Sequence, residues 1–550
     1  MEPRADQNTQ TLIPNSDSIR VPRRHGEVLI EPRAAEQEKF LLSIKSGSVF
    51  TVLPEPWKTL SKIARKEFLE AAAQFGSTIG SPFSTESALN KRWIVTGHQV
   101  EFYHAGVWAK VLFADSLARR TDAVAFDLLV DHDVVETMGF GVPHHANGHW
   151  SRETVAWGEA SAIPAEFLHA PGHEPGESWM KKAHNRSVIF SDALDFTFNQ
   201  FKTGQLTDYT PWMSQARRQL EIKLDIDVPH VPCSGICSGV AWAGFVLAWI
   251  RNADAWVKIY NEALDQYRQV NKIKNPGQPI PDLEANQHHV ELPFWIYGKD
   301  SSRHRLLLDR TCGGLVSAFG ELKTIETAAL MQGDIIQRAH EFQQQLKNAG
   351  LFIRPRALTL TMFVRLLISD LFIHGIGGAM YDRITDQFIK KIFGTCGAYS
   401  CVSAGWLLNI GTESETGDAA FLRNQKHHLL HNPQLIQPGP RENDIQLTDL
   451  IKQREQLIGE IEVLLKADRE QTGHSHGPNW KTRAGKFQNL QKVNQKLIEI
   501  RRGEIEKIDQ QIAAAAAATK DYTVTHWREY YFAMHSFESL QKLRVAIREG

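Results

Sequence analysis

Two short apolar runs, each ending abruptly in polar residues and separated by one helical stretch, constrain this chain more than any other feature. Trp93–Thr96 runs into "TGHQ", and Phe126–Val130 stops at Asp131–His132–Asp133. Between them, from about Val107 to Arg119, the pattern is helical. The order apolar run, helix, apolar run is a β-α-β unit, whose two strands lie parallel. Both polar strings then fall at the carboxyl ends of adjacent strands, just outside which open parallel sheets bind their ligands. Short apolar runs keep alternating with helical patterns to about residue 420, which predicts an α/β fold with a largely parallel sheet.

The rest of the chain divides by pattern. Residues 1–46 read as a flexible, solvated N-terminal arm with no sustained period. The core spans 47–420, and a stretch at about 140–240, rich in Gly, Pro and His, reads as a small inserted element. Val290–Gly298 and Arg303–Asp309 have the form of a hairpin, followed by helices at about Ile325–Ala349, Leu358–Ile368 and Met380–Phe393. In 421–520, Leu447, Leu450, Leu457, Ile461 and Leu464 recur on one side of a charged helix. Leu490, Val493, Leu497, Ile500, Ile505, Ile508 and Ile512 repeat this after the turn "QTGHSHGPNW". Two such helices joined by a short turn make an antiparallel coiled-coil hairpin, suited to holding a homodimer. The aromatic tail, 521–550, is expected to return to the core as a helix.

Length and composition remove several classes. At 550 residues the chain exceeds one average domain several-fold. Lys plus Arg (62) and Asp plus Glu (63) leave a net charge of −1, which argues against nucleic acid held on a bulk basic surface. No apolar run reaches the ~18 residues needed to cross a bilayer; Val240–Ile250 is too short and is broken by Gly244. No apolar leader opens the sequence, and five cysteines are too few for a disulfide framework. A cytoplasmic location is the expectation, with no membrane partner.

Three strings carry possible chemistry. Thr96, Gly97, His98 and Gln99 lie at a strand-to-helix turn, where free helix N–H groups hold phosphate or carboxylate; a turn glycine with capping residues explains the string equally well. Because neighbouring strand residues face opposite sides, Asp131 and Asp133 point together while His132 points away. Paired carboxylates there suit a magnesium ion, an ammonium group or a ribose. His374–Gly378, "HGIGG", follows an apolar run and opens a helix, the context of a glycine-rich anion cradle, although close packing also demands glycine. His144, His145 and His149, like His427, His428 and His431, lack the carboxylate or cysteine that completes a familiar metal-site spacing. Cys233 and Cys237 have no second pair.

"TGHQVEFYHAGVWAK", "LLVDHDVVE" and "RPRALTLTMFVRLLISDLFIHGIGGAMYDRITDQFI", in this order and followed by the helical hairpin, resemble segments of the bacillithiol-biosynthesis cysteine ligase family (BshC-like) from about residue 90 onward. Gly375 and Tyr381 stay in step with the family's glycine-rich stretch. The resemblance implies a Rossmann-like core, a small connecting domain and a dimerising coiled coil. It also implies joining of an amino acid to an amine-bearing small molecule. Four positions depart: His98 for glutamine, Glu101 for glycine, Val130 for the acid before "DHD", and Gly378 for an acid. Such changes in one pocket point to a different small-molecule substrate on the same scaffold.

The expectation is therefore a ligase- or transferase-like enzyme with a nucleotide or phosphate-bearing ligand at the sheet's carboxyl edge. His98 and the glycines Gly375, Gly377 and Gly378 hold the anion; Asp131 and Asp133 hold the amine or a magnesium ion. Thr96, Gly97, Gln99, His132, His374 and Tyr381 complete the site. The cofactor is left open, with ATP and magnesium as the pair an adenylating ligase would use. The alternative is a non-catalytic, dimeric small-ligand-binding protein.

Overall fold

The computed structural model describes residues 12–550 apart from 47–52, 147–148, 172–190, 204–205, 276, 299–302, 312–313, 318–324, 409, 411–418, 432–444, 473–476, 501 and 519–521. In chain order, β1 (Glu27–Glu31), β2 (Trp93–Gln99) and β3 (Val124–Val130) precede a hairpin of β4 (Gly139–Ala146) and β5 (His149–Ala156), then the short β6 (His230–Pro232). A second run, β7 (His289–Gly298), β8 (His304–Asp309), β9 (Gly314–Ser317), β10 (Ile325–Glu326) and β11 (Leu351–Pro355), leads to β12 (Leu371–His374) and β13 (Tyr399–Gly405).

Six strands form the main sheet in the order β1-β13-β12-β2-β3-β6. All neighbours are parallel except β1, which runs antiparallel to β13 at the edge. The sheet is covered on both faces, as parallel sheets require. Trp93, Val95, Phe126 and Leu128 enter one core with the helices Trp57–Thr78 and Val240–Arg251. Ile94, Ala125 and Leu129 enter the other, against the helix Ala105–Thr121. That alternation is the two-residue period of a strand, here apolar on both sides.

The expected β-α-β unit is β2, the helix Ala105–Thr121 and β3, with Trp93 opposite Val124 and Gln99 opposite Val130. The arm expected over 1–46 is corrected: Glu27–Glu31 is a sheet strand, with Glu27 opposite Gly405, and Ala34–Ser43 is a helix. "EVLIE" is too short to show its period between charged flanks, and only β13 gives it a partner. Residues 1–11 lie outside the described residues.

The hairpin β7–β8 forms as the sequence indicates, but within a five-stranded antiparallel sheet, β10-β9-β8-β7-β11. The helix expected from Ile325 starts at Ile335, since Ile325–Glu326 pairs with β9. Val240–Arg251 is a helix buried from Val240 to Ile250. Among the described residues no helix is long and apolar enough to cross a membrane.

Beyond the sheets, Ile445–Thr472 and Trp480–Ile500 pack antiparallel, with Leu447 and Leu450 buried against Val493 and Leu497. Polar pairs follow the same register: Arg454 Nε donates to Asn494 Oδ1 (2.8 Å), and Lys486 Nζ to Glu460 Oε2 (2.7 Å). Most of the turn between these helices, like Cys312, lies outside the described residues. The tail does return to the body. Phe532 stacks on Trp108 with centroids 4.4 Å apart, and Leu540, Leu543 and Ile547 of the helix Phe537–Glu549 are buried.

Candidate functional site

Strand order reverses between β2 and β12. From β2 the chain crosses one face to β3; from β12 the helix Ile376–Phe393 crosses the other face to β13. Crossovers that diverge this way leave a crevice between the two carboxyl strand ends, where open α/β sheets take their ligands. A cleft of about 560 Å³ lies here. Gly97, His98, Gln99, His374, Gly375, Gly377, Gly378 and Tyr381 all line it, so two segments far apart in sequence are brought together.

The two helix amino ends at this cleft differ. His104 closes the first, its Nδ1 accepting from the Gly106 N–H at 3.0 Å. The second is entered through Gly375, which has no side chain to cap it. Its first-turn N–H groups face the crevice with the positive end of the helix dipole. A Cβ at Gly377 would meet nothing within 4 Å, whereas one at Gly378 would sit 2.5 Å from His374 Nδ1. Close packing thus explains Gly378 and leaves Gly377 unexplained.

His374 does not reach for a ligand with Nε2. That atom lies 2.7 Å from Asp382 Oδ2, and Asp382 also accepts from Thr361 Oγ1 (2.6 Å) and pairs with the buried Arg365. Burial alone would raise the Asp382 carboxyl; Arg365 and His374 outweigh it and hold the group below the usual carboxylate range. His98, beside the Tyr103 ring at 5.1 Å, is lowered to about 3, chiefly by burial and then by the charge of Lys110. Burial likewise lowers His104 to about 3. Both imidazoles are neutral near pH 7. His98 therefore offers an anion hydrogen bonds and no positive charge.

The cation at the cleft floor is Lys110, only 4% exposed. Its Nζ donates to the Gly97 carbonyl at 2.5 Å, and it forms no ion pair among the described residues. Burial pulls its ammonium down to about 8. The sequence did carry a signal: a lone lysine inside "VWAKVLFA" must enter the apolar face of that helix. Arg528 also lines the cleft and donates to Ser403 Oγ and the Ala404 carbonyl, with the Glu529 and Glu27 carboxylates acting on its charge.

The remaining expected residues lie elsewhere. Thr96 is buried and donates Oγ1 to the Ile373 carbonyl at 3.0 Å, tying β2 to β12. The expectation that Asp131 and Asp133 face one cleft with His98 is corrected. β3 ends at Val130, and in the turn that follows the two-residue period no longer holds. Asp131 accepts from the Ser234 N–H (2.8 Å) and its hydroxyl, and lines a second cleft of about 460 Å³ with Glu67 and Glu166. Burial, then the Glu166 charge, raise it to about 7. Asp133 turns to Arg303 and to Gln99 Nε2 (3.4 Å). His132 is buried between them, lowered to about 4 by burial, and its Nδ1 has no partner among the described residues.

Among the described residues, no three His, Cys, Asp or Glu side chains are grouped to hold a metal ion. A scan against protein-family models finds no match, and a search of curated proteins finds none.

Proposed function

We propose that the chain is a ligase- or transferase-like enzyme on a Rossmann-like core, joining a carboxylate-bearing molecule to an amine. The observation behind it is the crevice at the strand-order reversal, where an uncapped helix amino end, a buried lysine with no ion-pair partner among the described residues and an unobstructed Gly377 converge. All three favour an anion. The ordered resemblance to the bacillithiol-biosynthesis cysteine ligases supports an acid-plus-amine reaction. In this account the anion is oriented by Lys110 and the N–H groups of the helix Ile376–Phe393, and His98, being neutral, donates or accepts one hydrogen bond. Positioning and charge neutralisation supply the rate. ATP with magnesium would serve as the activating cofactor.

Turnover tests it. Purified protein offered ATP with a panel of amino acids and amino sugars should release ADP or AMP with at least one pair. Release should vanish in Gly377→Val. Absence of nucleotide consumption across the panel, with ligand still bound, would favour a non-catalytic binding protein. That second reading has its own support, since Asp131 and Asp133 are committed to Ser234 and Arg303 and leave the cleft without their carboxylates. The antiparallel helical pair is read as a coiled-coil hairpin that supports a homodimer, with Val463 67% exposed on its outside.

A further inference from the structure

We propose that the ligand of the β2–β12 cleft is a singly charged carboxylate with an apolar body, its anionic head on Lys110 and its body on the aliphatic walls. The inference rests on this cleft being a ligand site and narrows what enters it.

Charge sets the first limit. Among the described residues Lys110 and Arg528 are the lysine and arginine that line the cleft. Asp127, the carboxylate that acts on Lys110, is already paired with Arg217, so the Lys110 charge is left for a ligand. Its Nζ gives one hydrogen bond to the Gly97 carbonyl, which leaves two of its three N–H donors for a ligand. Arg528 donates to the neutral Ser403 Oγ and Ala404 carbonyl, and its charge is answered by the nearby carboxylates of Glu529 and Glu27. His98 and His104 are neutral. On the acidic side, Asp382 is closed off by Arg365, His374 and Thr361, and Glu529 stands at the wall. One ammonium and one helix amino end, worth about half a charge, balance a single negative charge. A polyphosphate would bring several charges into a crevice that answers one.

The walls set the second limit. Val107, Val130, Leu358, Leu360 and Ile376 line the cleft, and Tyr381 stands 46% exposed among the lining residues. Leu358 and Leu360 belong to the first turn of the helix Ala357–Leu367 and line the same cleft as Gly375, Gly377 and Gly378. A ligand made only of a charged head would leave these aliphatic surfaces wet. One with a short hydrocarbon body would cover them while its head reached the floor. Lys110 Cδ lies 3.9 Å from where a Cβ at Gly375 would be, so the ammonium and the uncapped helix end address the same spot.

Ligand-observed NMR titration of the full chain tests this with hexanoate, acetate, hexyl phosphate, inorganic phosphate, ATP and hexylammonium. Hexanoate should bind at least about tenfold tighter than acetate, through its added methylenes. It should also bind more tightly than hexyl phosphate or either of the headgroup-only anions, and hexylammonium should not compete. Lys110→Met, which keeps the aliphatic stem, should weaken hexanoate at least about tenfold. Gly377→Val, which adds volume where nothing is packed, should weaken it too and stands in if the Met variant does not fold. Hexanoate binding unchanged in either folded variant overturns the proposal. Tighter binding of ATP, inorganic phosphate or hexyl phosphate overturns the carboxylate assignment while leaving the cleft a ligand site. No binding by any anion overturns both.

Discussion

The Nζ of Lys110 lies 2.5 Å from the carbonyl oxygen of Gly97, so the helix that leaves β2 is tied back to the end of the strand it came from. The tie holds a buried ammonium at the floor of the crevice with no ion-pair partner among the described residues, Asp127 being paired with Arg217, an arrangement that costs stability unless an anion completes it.

The pH dependence of binding follows. Burial holds the Lys110 ammonium at about 8, below the ordinary value of about 10.4. Hexanoate affinity should be level below pH 8 and fall as pH rises through that value. Stability should move the other way: between about 8 and about 10.4 the unfolded chain binds the extra proton, so the unliganded protein gains stability with rising pH. Denaturant titrations of parent and Lys110→Met across this window check the sign, because the Met variant lacks the gain.

The two neighbouring glycines should separate packing from binding. Gly377→Ala fits without contact and should stabilise the helix by about 0.5–1 kcal/mol. Gly378→Ala drives a methyl into the His374 ring and should destabilise by about 1–3 kcal/mol. Urea unfolding measures both, and equal effects would mean that the His374 ring does not constrain the turn.

Asp131 should show its burial as a pH effect of opposite sign to a surface carboxylate. Its raised value of about 7, against about 3.9 unfolded, means the folded chain binds more protons in that window. The parent therefore loses stability as pH rises from about 4 to about 7. Asp131→Asn does not titrate, so its stability relative to the parent should climb across the same interval. A difference that stays flat would show that Ser234 holds Asp131 ionised throughout.

The hairpin should govern assembly. Light scattering on a chain lacking Ile445–Ala518 should report a smaller oligomer than the full chain, and an unchanged mass per particle would remove the hairpin from the interface.

What the sequence made legible was local. "WIVTGHQ" and "FDLLV" carry the period of buried parallel strands, and the helix between them is short enough to force their pairing. The convergence of Thr96–Gln99 with His374–Gly378 was also readable, because parallel strands put their ends on one edge. The divergence of Asp131 and Asp133 was not, because it depends on β3 stopping at Val130 and on Ser234 and Arg303, distant in sequence. β1 was hidden for the same reason: five residues have no visible period until β13 supplies a ladder. Lys110 was passed over because a helical lysine is ordinarily a surface residue, and only the apolar residues around it marked this one as buried.

The most direct test of the central claim is the rise in melting temperature produced by hexanoate in parent, Gly377→Val and Asp131→Asn proteins. A ligand that binds only the folded chain raises its melting point. If the cleft between β2 and β12 is the site, the rise produced by hexanoate disappears in Gly377→Val and persists in Asp131→Asn. A rise that persists in Gly377→Val and disappears in Asp131→Asn would contradict it and move the ligand to the cleft beside Ser234.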